Sequence, residues 1–194
     1  MRTFEFLQTS IAGLTMLRPF FALDGRGWFS KPFEQSIFAA HGIELFPREE
    51  LRSCSKKGVL RGLHFQRRCC QDKLVQVLSG AVFDVAVDLR KDSETFGQWE
   101  GFYLSAENRN ILYIPKGFAH GFLALEDNTL FSYLCGERYD PESDGGIRWN
   151  DPQLSVSWPL ERVEQVILSD KDAALPTLAE FLAQYGPLPA EGAP

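Results

Sequence analysis

Nowhere in the sequence do eighteen apolar residues run together, so no membrane-crossing helix is expected. The first residues, MRTFEFLQTSIAGLTM, carry one early arginine, then Glu5, and no long apolar stretch. They read poorly as a secretory signal, and a cytoplasmic location is expected. Cysteine is scarce: the four present, at 54, 69, 70 and 135, include an adjacent pair and form no C-x-x-C unit. That argues against a disulfide framework or a thiolate zinc site, and for free thiols in a reducing compartment. Positive charge is not in excess, because 20 Lys and Arg against 26 Asp and Glu leave a formal charge of −6. Broad binding of nucleic acid or of an anionic membrane needs a basic surface, so neither is an expected partner, although a local basic pocket stays open. Histidine is rare too, with three in 194 residues.

What the sequence does have is core material: sixteen Phe, four Trp and 44% hydrophobic residues exclude disorder as its general state. No repeat, linker or low-complexity stretch divides it. Residues 1–185 read as one domain, and 186–194, GPLPAEGAP, as a flexible tail. In VFDVAVDLR (82–90), Phe83, Val85, Val87 and Leu89 alternate with Asp84, Ala86 and Asp88, the period of a half-buried strand. KLVQVL precedes it across Ser79-Gly80, so Leu74–Leu89 reads as a hairpin. Further strand-like runs are Val59–Phe65, Trp99–Leu104, Ile111–Ile114, Gly121–Leu125 and Leu130–Leu134, separated by the turn segments 106–108, 115–117 and 126–128. Short strands at this spacing predict a mainly β antiparallel sandwich or barrel, jelly rolls included. Helices are expected at Phe33–His41 and Leu175–Tyr185.

His41 ends the first of these helices and is given no role. His64 and His120 instead sit inside strand-like apolar runs, LRGLHFQ and GFAHGFL. A lone strand histidine is usually a satisfied core or edge residue; two of three in such runs make a functional reading competitive. Metal binding is disfavoured, since no H-x-H occurs and no carboxylate lies near either histidine in sequence. Proton transfer suits a neutral imidazole whose tautomer a carboxylate fixes. Asp84, Asp88 and Asp172 all qualify for that place. A cation is needed wherever enolate or phosphate charge must be held. Arg61, flanked by apolar residues where an unpaired guanidinium is costly, and Lys73, opening the next strand, are candidates. Arg67 and Arg68 read as a solvated loop.

KKGVLRGLHFQ (56–66), KLVQVLSGAVFDVAVDLRKDSETFGQW (73–99), LSAENRNILYIPKGFAHGFLAL (104–125) and GIRWNDPQLSVSWP (146–159) together closely resemble the dTDP-4-dehydrorhamnose 3,5-epimerase family. DGRGWF (24–29) and LSDKDAALP (168–176) add to the resemblance, which runs from residue 16 to 178. It implies a cupin-type jelly roll with short flanking helices, usually a homodimer, acting without metal or organic cofactor. The implied substrate is a nucleotide-linked 4-keto-6-deoxy sugar, whose product feeds rhamnose-type deoxysugars into cell-surface polysaccharide. By motif position it implies His64 as base, Asp172 as its carboxylate, Tyr133 as general acid and Lys73 beside the sugar C4 oxygen. It likewise assigns Arg26, Phe29, Arg61, His120, Tyr139, Asp144 and Lys171 to diphosphate or sugar binding.

Those roles fit elementary chemistry. A proton alpha to a ketone is acidic because the enolate places charge on oxygen, which then wants a positive neighbour. Inverting a carbon needs a base on one face and a donor on the other, and arginine matches phosphate oxygens in pairs. Taken singly, Tyr133 could fill the barrel and Asp172 could cap a helix near Ala173. The chain departs from the family at Glu49-Glu50-Leu51-Arg52-Ser53, where Q-D-N-H-S is usual, and at Lys31, Leu134 and Asp144. Three alternatives are therefore kept: inversion at one carbon only, a CDP- or GDP-linked substrate, and a non-catalytic sugar-nucleotide binder on the same barrel.

Overall fold

The computed structural model describes residues 3–189. Its strands, in chain order, are β1 (Glu5–Gln8), β2 (Thr15–Arg18), β3 (Phe20–Asp24), β4 (Gly27–Lys31), β5 (Glu49–Ser55), β6 (Leu60–Gln66) and β7 (Lys73–Ser79). Then come β8 (Ala81–Asp88), β9 (Trp99–Ser105), β10 (Ile111–Ile114), β11 (Phe118–Ala124), β12 (Thr129–Cys135) and β13 (Asp144–Gly146). Helix α1 is Gln35–Ala40, α2 is Asp170–Ala173 and α3 is Leu178–Tyr185. The strands form a six-stranded sheet ordered β1-β2-β10-β7-β12-β5, a five-stranded sheet ordered β13-β6-β11-β8-β9, and a separate β3–β4 hairpin. The result is mainly β, as expected: a cupin-like antiparallel jelly roll.

Two expectations are corrected. Leu74–Leu89 is not a hairpin, because β7 pairs with β10 and β12 while β8 pairs with β9 and β11 in the other sheet. Gly80, at φ +78°, turns a corner between sheets, and a side chain there would run into Thr129. Alternation along a strand reports its two faces, not its partners. Nor is β8 half-buried: Val82 through Asp88 are all buried. Phe83, Val85 and Val87 face an outer core closed by Leu154, Trp158 and Phe181 of the C-terminal segment. Val82 and Ala86 face the space between the sheets.

That space is filled from both sides, by Phe102, Phe118 and Phe122 of the five-stranded sheet and by Val75, Leu112 and Phe131 of the six-stranded one. Phe122 and Phe131 stack across it at 4.4 Å and 13°, a contact worth about 0.5–1.5 kcal/mol beyond the buried area. Beyond the six-stranded sheet, Phe38 of α1 packs with Leu17, Leu74 and Ile111. The segment expected to be a flexible tail is tied down where it starts. Leu188 is buried and exchanges backbone hydrogen bonds with Leu89 and Lys91 at 2.8 and 2.7 Å. Residues 190–194 of that expectation lie outside the described residues.

Candidate active site

The strand β6 departs from simple alternation at Gly62. Leu60, Leu63 and Phe65 all belong to the outer core, whereas Arg61, His64 and Gln66 line a hollow between the sheets of about 310 Å³. The extra residue appears in the pairing as a register shift, with His120 opposite His64 but Phe122 opposite Arg61. A β-bulge of this kind re-aims side chains. Here it brings two polar residues three apart onto one inner face. Gly62, at φ +117°, permits it: a Cβ there would lie 2.6 Å from both Gly121 Cα and the His120 carbonyl oxygen.

His64 Nε2 meets Asp172 Oδ1 at 2.5 Å. The carboxylate comes from a short helix whose cap is Ser169: its hydroxyl accepts the Asp172 amide at 3.1 Å and donates to Asp172 Oδ2 at 2.8 Å. Asp172 is therefore not the cap, and its second oxygen is free for the imidazole. Burial disfavours its charge, but the His64 ring, the Ser169 hydroxyl and the Gly62 amide outweigh this and hold its carboxyl below the ordinary range. An anionic partner on Nε2 makes that nitrogen the donor and leaves Nδ1 as the basic one. The other two aspartates have different partners. Asp84 takes His120 Nε2 at 2.9 Å. Asp88 takes the Arg90 guanidinium at 2.7 and 2.9 Å together with the Ser93 and Thr95 hydroxyls. His41 stacks on Phe6 at 3.9 Å, away from the hollow.

Facing His64 from the six-stranded sheet are Tyr133 and Lys73, on the same hollow. Burial pushes the Tyr133 hydroxyl well above the usual phenol value, Asp84 adding to this while Ser53 and Arg61 act against it. The phenol therefore keeps its proton at neutral pH. Burial pushes the Lys73 ammonium below its usual value, opposed by Cys135, Asp84 and Asp144. Among the described residues neither Lys73 nor Arg61 has a carboxylate within ion-pair distance; Arg61 Nε donates only to Ser55 Oγ at 3.2 Å. Two cations thus face the hollow without a fixed counter-ion. At its rim Asp144 Oδ2 accepts from Tyr139 at 3.2 Å and pairs with Lys171. His120 lies buried behind, its ring 6.1 Å from those of Phe131 and Tyr133.

The structure thus gathers Arg61, His64, Lys73 and Tyr133, with Tyr139, Asp144 and Lys171, around one hollow. Asp172 and His120 stand directly behind it. It does not bring in Arg26 and Phe29, which lie on the β3–β4 hairpin beside a different surface depression. The Arg26 side chain is 91% exposed and pairs with Asp24. Ser53 and Gln66 belong to the site without having been singled out for it, and Asp84, a candidate partner for the base, belongs to it through His120 instead. Asp84 was legible only as one acid among three, and Ser53 and Gln66 carry no distinctive local signal. Among the described residues no three His, Cys, Asp or Glu side chains cluster as a metal ion would require.

A half-buried imidazole on a buried carboxylate, sharing one hollow with a protonated phenol and two uncompensated cations, defines an acid–base enzyme on a jelly-roll barrel. Residues 8–180 match the family model described as dTDP-4-dehydrorhamnose 3,5-epimerase, and the chain belongs to that family of isomerases. A relative of that name from Methanothermobacter thermautotrophicus is 50% identical over 172 residues, covering 89% of this chain and 93% of its own length. The crystal structure of the Legionella pneumophila dTDP-6-deoxy-D-glucose-3,5-epimerase RmlC, in complex with dTDP-4-keto-L-rhamnose, superposes with a TM-score of 0.91 at 45% identity, covering 98% of this chain and all of that one. A 3'-monoepimerase from Streptomyces bikiniensis, ChmJ, solved with dTDP-quinovose, has a TM-score of 0.86 at 32% identity and covers 95% and 92%.

Proposed function

We propose that this enzyme inverts C3 and C5 of a dTDP-linked 4-keto-6-deoxyhexose, in the cytoplasmic synthesis of rhamnose-type sugars. The carrying observation is that a histidine base and a phenol donor come from opposite sheets onto one hollow. His64, its Nε2–H held by Asp172, takes the proton alpha to the C4 ketone. The charge moves onto the C4 oxygen, where Lys73 neutralises it. Tyr133 delivers a proton to the other face of the same carbon. The phenolate left behind is reprotonated from solvent and His64 loses its proton likewise, so the cycle balances. Arg61 holds the diphosphate, and Tyr139, Asp144 and Lys171 grip the sugar.

The reading includes a homodimer. Leu23, Trp28 and Phe29 of the β3–β4 hairpin are among the most exposed large apolar side chains, the kind of surface that calls for a partner. In the dimer, Arg26 and Phe29 of the partner subunit complete the diphosphate and sugar contacts. Four free cysteines accord with a reducing compartment; among the described residues no helix is long and apolar enough to cross a membrane. The acids at 49 and 50 do not by themselves imply a different nucleotide, since Glu50 holds Arg52 at 2.7 Å and Glu49 accepts the Tyr139 amide at 3.0 Å. Inversion at one carbon is the second reading, favoured by the likeness to a monoepimerase.

In deuterated water the product should carry deuterium at both C3 and C5, read by proton NMR. Label at one carbon selects the second reading, and none with any dTDP-, CDP- or GDP-linked 4-keto sugar refutes the proposal. Tyr133→Phe should still exchange the proton that His64 removes while inverting at least about a hundredfold more slowly.

A further inference from the structure

The loop between β12 and β13 carries Tyr139 and leads into Asp144, whose strand is fixed to β6 by the ladder that sets Asp144 opposite Gln66 and Gly146 opposite His64, with the Arg67 amide on the Ser143 carbonyl at 2.8 Å. The stretch around Tyr139 is held by side chains: Gln71 donates to the Glu137 carbonyl at 2.8 Å, Glu49 accepts the Tyr139 amide at 3.0 Å, and one residue of β6 itself binds on both sides of Tyr139. Gln66, last residue of β6 and buried, spends both its amide hydrogens on backbone carbonyls, Cys69 at 2.6 Å and Arg138 at 3.1 Å. Its oxygen accepts the Asp140 amide at 2.6 Å. The bonds to 138 and 140 straddle Tyr139. From Asp140 the connection continues: its carbonyl accepts the Ser143 and Asp144 amides at 3.0 Å each. Asp144 in turn takes Tyr139 and Lys171.

We propose that Gln66 is a positioning residue: its carboxamide sets the place of Tyr139, in the grip on the sugar, relative to the His64 base. Resting on the function proposed above, this adds a residue that touches no reacting atom, since its hydrogens are committed to the loop. No other residue type supplies two donors and one acceptor in a plane from this position; glutamate keeps the acceptor but turns an oxygen towards two carbonyls. Because the grip acts on substrate before and during proton transfer alike, its loosening weakens binding more than chemistry.

Gln66→Met keeps the volume and removes all three bonds; Gln66→Glu is the second variant should the first fail to fold. The expected result is a KM raised at least about tenfold with kcat within about threefold. Amide hydrogen exchange should accelerate in residues 137–144 while β8 and β11 keep their protection. Adding Tyr139→Ala to Gln66→Met should raise KM by much less than the same change in the wild type, because both act through one contact. Unchanged exchange in 137–144, an equal fall confined to kcat, or full additivity with Tyr139→Ala overturns the proposal. An inactive wild type would instead refute the proposed reaction, and loop exchange would still judge the tether.

Discussion

Lys73 opens β7 opposite Cys135 on one side and Ile114 on the other, and the fold holds its ammonium under cover that water would not impose. A lysine whose value is lowered on folding binds fewer protons in the folded chain than in the unfolded one between the lowered value and about 10.4. Stability therefore rises with pH through that window, and below it the fold carries the whole cost of burying the charge. Replacing the residue with Met should remove the cost along with the cation that stabilises the enolate. We expect Lys73→Met to lose roughly a hundredfold or more in kcat. Its Tm at pH 7 should be higher by about 2–4 °C, the equivalent of ~1 kcal/mol in a chain of this size. The gap should narrow as melting is repeated towards pH 10. A Tm below wild type at both pH values would mean that the ammonium stabilises the fold. The histidine partner illustrates what sequence leaves open at this scale. Asp84, Asp88 and Asp172 were equivalent as letters, and the choice is made by contacts such as that of Asp172 with His64, 108 positions away.

A single glycine governs the element that carries the base. Gly62 and Gly97 both have positive φ, +117° and +77°. A Cβ at Gly97 would meet nothing within 4 Å, whereas one at Gly62 would strike the β11 backbone. The pair sets ordinary left-handed strain alone, at Gly97, against greater strain combined with close approach, at Gly62. Gly97→Ala should cost about 1–2 kcal/mol in urea unfolding, the conformational penalty alone. Gly62→Ala should cost about 3 kcal/mol or more and lower activity in the fraction that folds, since the bulge aims Arg61 and His64 inward together. Equal costs would show that the approach of β6 to β11 is not what the glycine serves. Strands β6 to β12 were legible because Val, Ile, Leu and Phe runs stand between strong turn signals. β1 to β5 were not, being short or polar: EELRSCS at 49–55 has no apolar run, and becomes a strand by pairing along β12. The β7–β8 corner was misread for the reverse reason, a clear turn whose two arms belong to different sheets.

At the scale of the whole molecule, the resemblance assigned Arg26 and Phe29 to a site from which they lie apart in the single chain. The β3–β4 hairpin pairs with neither large sheet. Trp28 and Phe29 are 64% and 63% exposed, apolar area whose burial against a second copy is favourable by about 25 cal/mol per Å². Nothing in a local pattern of residues tells whether a side chain serves its own subunit or the next. Complementation does. Arg26→Ala and His64→Ala should each be inactive, or nearly so, as homodimers. Mixed and reassociated, they form heterodimers in which the subunit retaining His64 receives an intact Arg26 from its partner, while the other site lacks both. Random reassortment makes half the dimers mixed, each with one working site of two, so activity should return to about a quarter of wild type. If Arg26 acts within its own subunit, each site of the mixed dimer lacks one group and mixing restores nothing. Light scattering that finds only monomer at the assay concentration would refute the shared site outright.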